Sequence, residues 1–321
     1  MEARSWYELL AKDRQAFSRQ RAEHFANSET RLRVNDQRFQ DLDLSGLDLS
    51  RMDFSSCEFF GCNMAGCDLT DTLLRLCRLR SCNLTGARLC QVNLARGEAV
   101  ACDFTNADLN GASLLLTKLY NSTFHGAILD QTDLSAVEAA GIKFTNIQAE
   151  RTFWLKADLR NCDFSGAKMP RNVMRTAALS GANFAGVFLP QSDLTYTVLH
   201  GTNLEGANLE QCDLSNCFLQ DTNMRQANLT QAKMETVDFE NVDLTGATLH
   251  GMLVDRIETA EDRASHAAMR ENVLSQYSVL QLNQSAYGNG NSVALSSLRE
   301  YSAAAAAAEQ LGSKLGDKEV L

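Results

Sequence analysis

The sequence predicts a solenoid built from a five-residue repeat, on two observations. First, every fifth position from Phe39 to Leu249 is apolar, and these 43 positions hold 25 Leu, nine Phe, five Met, three Ala and one Trp. Second, the position two residues before each of them is restricted, because 36 of its 43 occupants are Ala, Cys, Ser, Thr, Val or Gly. A period of five matches neither the 3.6-residue period of a helix nor the two-residue period of a strand. The chain is therefore a repeat architecture whose unit reads small, polar, large, polar, polar.

Individual repeats match a known motif. The segments 107–111 (ADLNG), 182–186 (ANFAG) and 207–211 (ANLEQ) resemble the A-[D/N]-L-x-x motif of pentapeptide repeat proteins. The resemblance covers residues 34–254, about two thirds of the chain. It implies an all-β solenoid, a right-handed quadrilateral parallel β-helix with one pentad on each side. At four pentads per coil, the 43 repeats would form about eleven coils.

A second period, of twenty residues, supports the coil that this resemblance implies. Five phenylalanines share this spacing and would stack as one aromatic column: Phe104, Phe124, Phe144, Phe164 and Phe184. The only two prolines, Pro170 and Pro190, also lie one coil apart. Neighbouring strands lie ~4.8 Å apart, so such a rod would be roughly 50 Å long. Large and small inward side chains would fill each coil and leave no room for a substrate.

Residues 1–33 precede the repeat and are predicted to form an N-terminal helical cap. Ser5 and Glu8 fit a capping box, in which the two side chains satisfy free amides at the start of a helix. The apolar residues that follow at helical spacing are Trp6, Leu10, Phe17 and Phe25. We expect this helix to cover the first coil, because an open solenoid end exposes unpaired backbone groups. A helix that binds a partner is the alternative.

Two segments follow the β-helix of residues 34–254. Residues 255–286 are predicted to form a C-terminal helix, since an apolar face repeats through them. This face consists of Met269, Val273, Tyr277 and Leu280. It can cap the last coil or pair with its copy in a homodimer, and the sequence favours neither. Residues 287–321 are expected to be a flexible link and an alanine-rich tail.

The repeat weakens between residues 137 and 156, while its register holds. Ala139 and Ala149 replace large residues there, and Trp154 stands where leucine is usual. A bulge or a bend in the rod is one explanation. An exposed aromatic ring that recognises a partner is the other.

A second weak patch, residues 170–175, places Asn172 at an inward position and suggests a protruding corner. Arg171 and Arg175 flank this position. Together with Trp154 and the four apolar residues of the C-terminal helix, they are the candidate interaction residues.

No catalytic, cofactor or metal site is predicted. Nine of the ten cysteines fall on the small inward position, where a free thiol behaves as a small apolar side chain, and only Cys90 does not. The five histidines do not gather, and no zinc spacing, phosphate-binding glycine loop or Ser-His-Asp order is present. Catalysis needs a sheltered site, whereas a filled rod offers only convex faces. The protein is therefore expected not to be an enzyme and to need no cofactor.

The net charge of −10 is spread unevenly along the repeat. Residues 35–72 hold eight acids and two bases, residues 73–175 nine acids and thirteen bases, and residues 176–254 nine acids and two bases. The rod is thus acidic at both ends and mildly basic in the middle, a pattern that can steer partners. Eight of the thirteen central bases would fall on two adjacent sides of a square coil. Half is expected by chance, so no basic stripe is predicted.

Two functions fit these features. In the first, the rod is a rigid scaffold that mediates protein–protein interaction, within a bacterial assembly or secretion system. In the second, which the family resemblance suggests, it is a DNA mimic that binds DNA gyrase or topoisomerase and protects it from quinolones or toxins. The scaffold is favoured, because a duplex presents uninterrupted negative charge and the middle of this chain is net positive. Direct binding of nucleic acid is not expected, because acidic ends repel phosphates.

The sequence also bears on location. It contains no run of about eighteen apolar residues, so no membrane span is expected. The first residues lack the basic-then-apolar pattern of a secretory signal. We expect a cytoplasmic protein, and export by a route that reads no cleavable signal is compatible with the sequence.

Overall fold

The chain forms a parallel β-solenoid of about eleven turns, which confirms the predicted fold class. In this computed structural model, residues 3–237 and 239–254 are described. The residue before each central apolar residue pairs in parallel with its equivalent twenty positions later, as in Asp43↔Asn63 and Asn228↔Thr248. The coil of twenty residues therefore consists of four pentads, one on each side.

Short strands lie along the sides of the solenoid. The first sheet pairs β1 (Leu32–Arg33) with β3 (Met52–Asp53). The second contains, in order, β2 (Arg38–Gln40), β4 (Glu58–Phe60), β5 (Arg78–Arg80) and β6 (Glu98–Val100). The third pairs β7 (Lys233–Met234) with β8 (Leu253–Val254). All pairs are parallel. Because the chain turns a corner every five residues, the extended stretch on a side cannot grow longer.

The central residues of the pentads form the core. From Phe39 to Met234, each of these side chains is at most 2% exposed. Burial of this kind contributes about 25 cal/mol for each Å² of apolar surface removed from water. One continuous core therefore runs along the described coils to Met234.

Hydroxyl and thiol groups at the small inward position also form hydrogen bonds. Thr72 Oγ1 donates to Leu49 O at 2.9 Å, and Cys77 Sγ donates to Phe54 O at 2.9 Å. In both cases the donor follows the acceptor by 23 residues. Thr, Ser and Cys thus satisfy a carbonyl of the preceding coil, which Ala cannot do. The inward cysteines therefore act as small donors as well as small apolar side chains.

Aromatic rings stack along one side of the core. The centroids of Phe104 and Phe124 are 4.6 Å apart, and those of Phe124 and Phe144 are 5.2 Å apart. The column continues from Phe144 to Phe164 at 5.1 Å and from Phe164 to Phe184 at 4.5 Å. Stacked rings at these distances gain contact area between coils, which fixes the twenty-residue register.

The N-terminal segment contains two helices rather than one. Helix α1 spans Ala3–Lys12 and helix α2 spans Arg14–Asn27. Ser5 lies inside α1, so the predicted capping box at that residue is wrong. Asp13 is the N-cap of the second helix, α2, and its carboxylate accepts a hydrogen bond from Ala16 N at 2.9 Å.

The two helices pack on the first coil. Trp6, Leu10 and Phe17 are buried in the same core as the repeat. Arg21 Nη1 lies 2.5 Å from Asp48 Oδ2 and holds α2 against the coil. Burial lowers the pKa of Arg21, and the charge of Asp48 opposes this shift. The apolar stripe of the N-terminal segment is thus used inside the molecule, which leaves little of it for a partner.

Trp154 points into the rod and is 0% exposed. Its interpretation as an exposed recognition residue is therefore wrong. The other central residues of its coil are Ala139, Phe144 and Ala149, so the large indole occupies volume that two leucines would otherwise fill. The Phe144 ring meets it edge-on, with the centroids 5.3 Å apart. Parallel pairing continues in step through residues 137–156, so no bulge interrupts this coil.

Asn172 is also buried, at 1% exposed, and the suggestion of a protruding corner is wrong. Its Nδ2 donates to Ala149 O at 2.6 Å and to Met169 O at 2.7 Å. Its Oδ1 accepts a hydrogen bond from Trp154 Nε1 at 2.8 Å. The side-chain amide thus satisfies the one polar atom that an inward tryptophan brings into the core.

The predicted C-terminal elements lie outside the described residues. These are the helix of residues 255–286, with Met269, Val273, Tyr277 and Leu280, and the tail of residues 287–321. In the part of the chain that the structure describes, no helix has the length and apolar character needed to cross a bilayer.

Candidate interaction surface

The four sides of the rod carry different outward residues. We number the sides by their central residues: side 1 contains Leu44 and every twentieth residue after it, side 2 Leu49, side 3 Phe54 and side 4 Phe59. Three residues of each pentad face outward, namely the one before the central residue and the two after it. The last of these three occupies the corner.

Side 3 is apolar and basic over six consecutive coils. We call this surface the 73–176 face. It consists of Leu73, Arg75, Leu76, Asn93, Ala95, Arg96, Ser113, Leu115, Leu116, Asp133, Ser135, Ala136, Phe153, Leu155, Lys156, Val173, Arg175 and Thr176. Nine of these eighteen residues are apolar, four are basic and one is acidic. Exposure of Leu76 reaches 55%, that of Phe153 46% and that of Leu155 37%.

Side 1 provides the contrast. Its eighteen outward residues between Asn63 and Gly166 include Ala65 as their single apolar side chain. Many of the others form a ladder of side-chain amides, in which Asn83 Nδ2 donates to Asn63 Oδ1 at 3.1 Å. The exposed apolar surface of side 3 is therefore not a general property of the repeat.

The charges of side 3 also differ from those of side 4. On side 4 acids and bases alternate and pair, as Arg78 does with Glu58 at 2.8 Å. On the 73–176 face, Arg75, Arg96 and Lys156 have no carboxylate of the described residues within 4.0 Å. Arg175 lies 3.8 Å from Asp193. The positive charge of the 73–176 face is thus mostly uncompensated.

The corners of side 3 are held in a costly backbone conformation. All eleven, from Asp36 to Thr236, have positive φ angles, and none of them is glycine. On side 1, eight of the eleven corners are glycine. Leu76 and Leu116 adopt φ of 58° and 57°, in the left-handed region that disfavours a bulky side chain by about 1 kcal/mol or more. Leu76 and Leu116 thus hold large apolar side chains in a backbone conformation that glycine adopts with less strain.

The structure separates the candidate interaction residues of the sequence. Arg175 belongs to the 73–176 face and is exposed. Arg171 forms the neighbouring corner of side 2, where Glu150 accepts from it at 2.7 Å and Gln191 at 3.2 Å. It is thus engaged within the rod. Trp154 is buried, and the four residues of the C-terminal helix lie outside the described residues.

The apolar members of the face were missed from the sequence, although a signal for them exists. Leu76, Leu116, Phe153 and Leu155 occupy outward positions where polar residues are usual. Sorting outward residues by their position within the twenty-residue coil places all four on one side. Sorting the bases alone does not reveal the face.

The remaining candidates for chemistry in the described residues are buried thiols and groups of metal-binding side chains. Burial raises the pKa of the Cys57 thiol to about 12 and that of Cys67 to about 11. Such thiols are neutral and poorly reactive at physiological pH. Among residues 3–254 other than 238, no three His, Cys, Asp or Glu side chains lie close enough together to hold a metal ion.

The fold and its five-residue core repeat define a class of parallel β-solenoids. The family model of pentapeptide repeats matches residues 38–75, 57–96 and 100–135. A second model, described as a pentapeptide repeat region, matches residues 192–268. The chain belongs to the pentapeptide repeat family.

Solved structures of other pentapeptide repeat proteins are similar to this chain. One is HetL, involved in heterocyst differentiation regulation in the cyanobacterium Nostoc sp. strain PCC 7120; it is 21% identical, with a TM-score of 0.33, over 72% of this chain and 92% of HetL. Another is full-length QnrB1, a plasmid-mediated fluoroquinolone resistance protein; it is 18% identical, with a TM-score of 0.33, over 75% of this chain and 99% of QnrB1. A comparison with curated proteins gave no match.

Proposed function

We propose that this protein is a non-enzymatic scaffold that binds another protein through the 73–176 face. The observation that carries the proposal is the combination of exposed apolar side chains and uncompensated bases on one side of the rod. Exposed apolar side chains gathered on one side of a protein are a feature of protein-binding sites. The filled core supports a rigid carrier, since each coil is fixed to the next by backbone hydrogen bonds and close packing.

Site-specific photo-crosslinking in the native cells tests this proposal. A benzoylphenylalanine replaces Leu76 or Leu116 at the corners of side 3, and Asn106 or Asn146 at equivalent corners of side 1. The corner accepts a large aromatic side chain, because Tyr196 already occupies it with a φ of 60°. We expect a discrete protein adduct from the side 3 positions only.

The protein recovered in this way is then purified and its affinity measured for two variants. In the Leu76→Asn/Leu116→Asn variant the apolar corners become polar, and we expect binding to weaken by tenfold or more. In the Asn106→Gly variant on side 1, we expect no change. Equal adducts from both sides, or equal affinity of both variants, would contradict the assignment of side 3.

The DNA-mimic function is a second candidate, supported by the acidic coils of residues 35–72 and 176–254. The 73–176 face weakens it, because its four bases, against a single acid, interrupt the negative surface that a duplex would present. A supercoiling assay with DNA gyrase and the full chain discriminates the two. Protection of gyrase from a quinolone would establish the mimic, and we expect no effect.

A further inference from the structure

We infer that the partner of the 73–176 face presents an acidic amphipathic α-helix, which lies along the axis of the rod. This inference rests on the proposed function and adds the chemistry and shape of the ligand. It follows from three properties of the face: its backbone hydrogen bonds, its charges and its dimensions.

The backbone of the face offers no open strand edge to a ligand. Asn93 N donates to Thr72 O at 3.0 Å, Leu116 N to Ser135 O at 3.0 Å, and Val173 N to Thr152 O at 3.0 Å. These coil-to-coil bonds leave no free sheet edge along the side. An extended peptide gains its affinity from such an edge, whereas a helix satisfies its own backbone and docks through side chains. The face therefore suits a helix.

The charges of the face favour a helix with negative net charge. Arg75 and Arg96 lie at one end of the face and Lys156 and Arg175 at the other, with Leu115 and Leu116 between them. Carboxylates of a docked helix can pair with these bases while its apolar residues cover the leucines and Phe153. A basic helix would meet the same four bases with Asp133 as the one acid of the face to compensate them, and like charges across an interface oppose binding.

The length of the face limits the length of the helix. Six coils at ~4.8 Å spacing extend about 24 Å, which corresponds to roughly 16 residues of α-helix. Side 3 becomes acidic beyond both ends, where Asp53 precedes Leu73 and Asp193 follows Val173 in the same bridge column. A longer acidic helix would meet these carboxylates. The breadth of three outward residues per pentad is similar to the ~10 Å diameter of a helix.

An anionic membrane is the other ligand that apolar and basic side chains attract, and the structure favours it less. Leu76, Phe153 and Leu155 are exposed, but Leu73, Leu115, Leu116 and Val173 are only partly exposed, so few side chains of the face can enter the acyl region as an interfacial anchor does. The net charge of −10 also opposes approach to an anionic bilayer.

The test uses fluorescent peptides with the full-length protein. The probe is a 16-residue peptide with leucines at positions i, i+3, i+4 and i+7 and glutamates elsewhere. A second peptide has lysines in place of the glutamates, and a third has the composition of the first in an order without helical periodicity. Fluorescence anisotropy reports binding. We expect micromolar binding of the first peptide and at least tenfold weaker binding of the other two.

Matched variants assign the binding to the face. Lys156→Glu on side 3 is expected to weaken the acidic peptide roughly fivefold. Lys143→Glu makes the same charge change on side 1 and is expected to leave the affinity unchanged. Leu76→Asn/Leu116→Asn is expected to abolish binding while circular dichroism confirms that the rod is folded.

The other outcomes would overturn the inference. They are tighter binding of the lysine peptide, equal binding of the aperiodic peptide, or equal effects of Lys156→Glu and Lys143→Glu. Binding to phosphatidylglycerol–phosphatidylcholine vesicles but not to the acidic peptide would replace the helix with a membrane. If side 3 crosslinks a protein in cells and the acidic peptide does not bind at about 1 mM, the proposed function stands and this inference fails.

Discussion

Replacement of Asn172 tests the most specific contact in the core. Asn172→Ala removes the acceptor of Trp154 Nε1, at 2.8 Å, and the donor to Ala149 O, at 2.6 Å. Both groups are then buried without a partner, and each costs about 1–3 kcal/mol. The free energy of unfolding should therefore fall by about 2–6 kcal/mol. Thr202→Ala is the matched control; it removes one bond to Leu179 O, which still accepts from Ala182 N, and should cost about 0.5–1.5 kcal/mol.

A double-mutant cycle isolates the bond between the two side chains. Trp154→Phe removes the indole donor and leaves Asn172 Oδ1 without it. In the double variant neither polar atom is present, so its loss of stability should be smaller than the sum of the single losses by about 1–3 kcal/mol. Trp154→Phe and Thr202→Ala should add within about 0.5 kcal/mol, because their sites are more than two coils apart.

Urea unfolding followed by circular dichroism measures these energies. In the Trp154→Phe variants, where Trp6 is the remaining tryptophan, fluorescence reports the N-terminal cap separately. The two signals must coincide before a single free energy is assigned, since cooperativity can break down in repeat arrays. If the losses of unfolding free energy for Asn172→Ala and Trp154→Phe are additive in the double variant, the hydrogen bond between the two side chains is refuted. The inward orientation of the indole is then refuted as well.

Three further predictions concern the core and the cap. Phe144→Asp should unfold the rod, because a charge would be buried without a partner, whereas Phe144→Ala should cost about 3–5 kcal/mol; circular dichroism distinguishes the two. At pH 8 the thiols of Cys57 and Cys67 should react with a disulfide reagent only after addition of urea, because burial raises their pKa to about 12 and about 11; fast labelling of either of these two thiols in the folded protein, as opposed to the half-buried Cys90, would contradict this. Hydrogen bonds from Ser45 lower the pKa of Asp43, so its contribution to stability is present above the unfolded pKa of about 3.9 and is lost as the pH falls through the folded value. The difference in Tm between wild type and Asp43→Asn should therefore shrink below pH about 4, and a constant difference would show that the carboxylate contributes nothing.

The fold was predictable because the inward positions repeat without interruption. A central position that is apolar 43 times in register indicates a repeat architecture, and the resemblance of its units to pentapeptide repeats implies the four-sided coil in which these side chains are buried. The twenty-residue spacing of Phe104 to Phe184 then fixes how the pentads stack. Neither inference needs a tertiary contact that is absent from the pattern.

The positions of residues that depart from the repeat were harder to predict, because they depend on contacts between residues that are distant in the sequence. Trp154 is buried since Ala139 and Ala149 leave volume in the same coil and Asn172, in the next coil, accepts its hydrogen bond. The pattern contains all four residues but does not show that they meet. Similarly, Asp13 reads as an interruption of one helix until its bond to Ala16 N shows that it begins another.

The candidate surface was not predicted, since a count of bases treats each side alike when eight of thirteen fall on two sides. What distinguishes side 3 is the coincidence of bases with apolar residues and the shortage of acids. That coincidence appears only when outward residues of different chemistry are sorted by side. The exposed fractions of Leu76, Phe153 and Leu155 then show that these side chains are accessible to water.

The corners of side 3 connect folding to function. Every pentad corner needs a positive φ, and the rod tolerates glycine there, as side 1 shows in eight coils of eleven. A leucine at the same corner adds strain of about 1 kcal/mol or more and leaves an apolar side chain in water. Folding alone therefore favours glycine or asparagine at Leu76 and Leu116. Since both leucines lie among exposed apolar and basic residues, their cost to the free chain is explained if the surface is covered by a partner, where the same side chains are buried and contribute to binding.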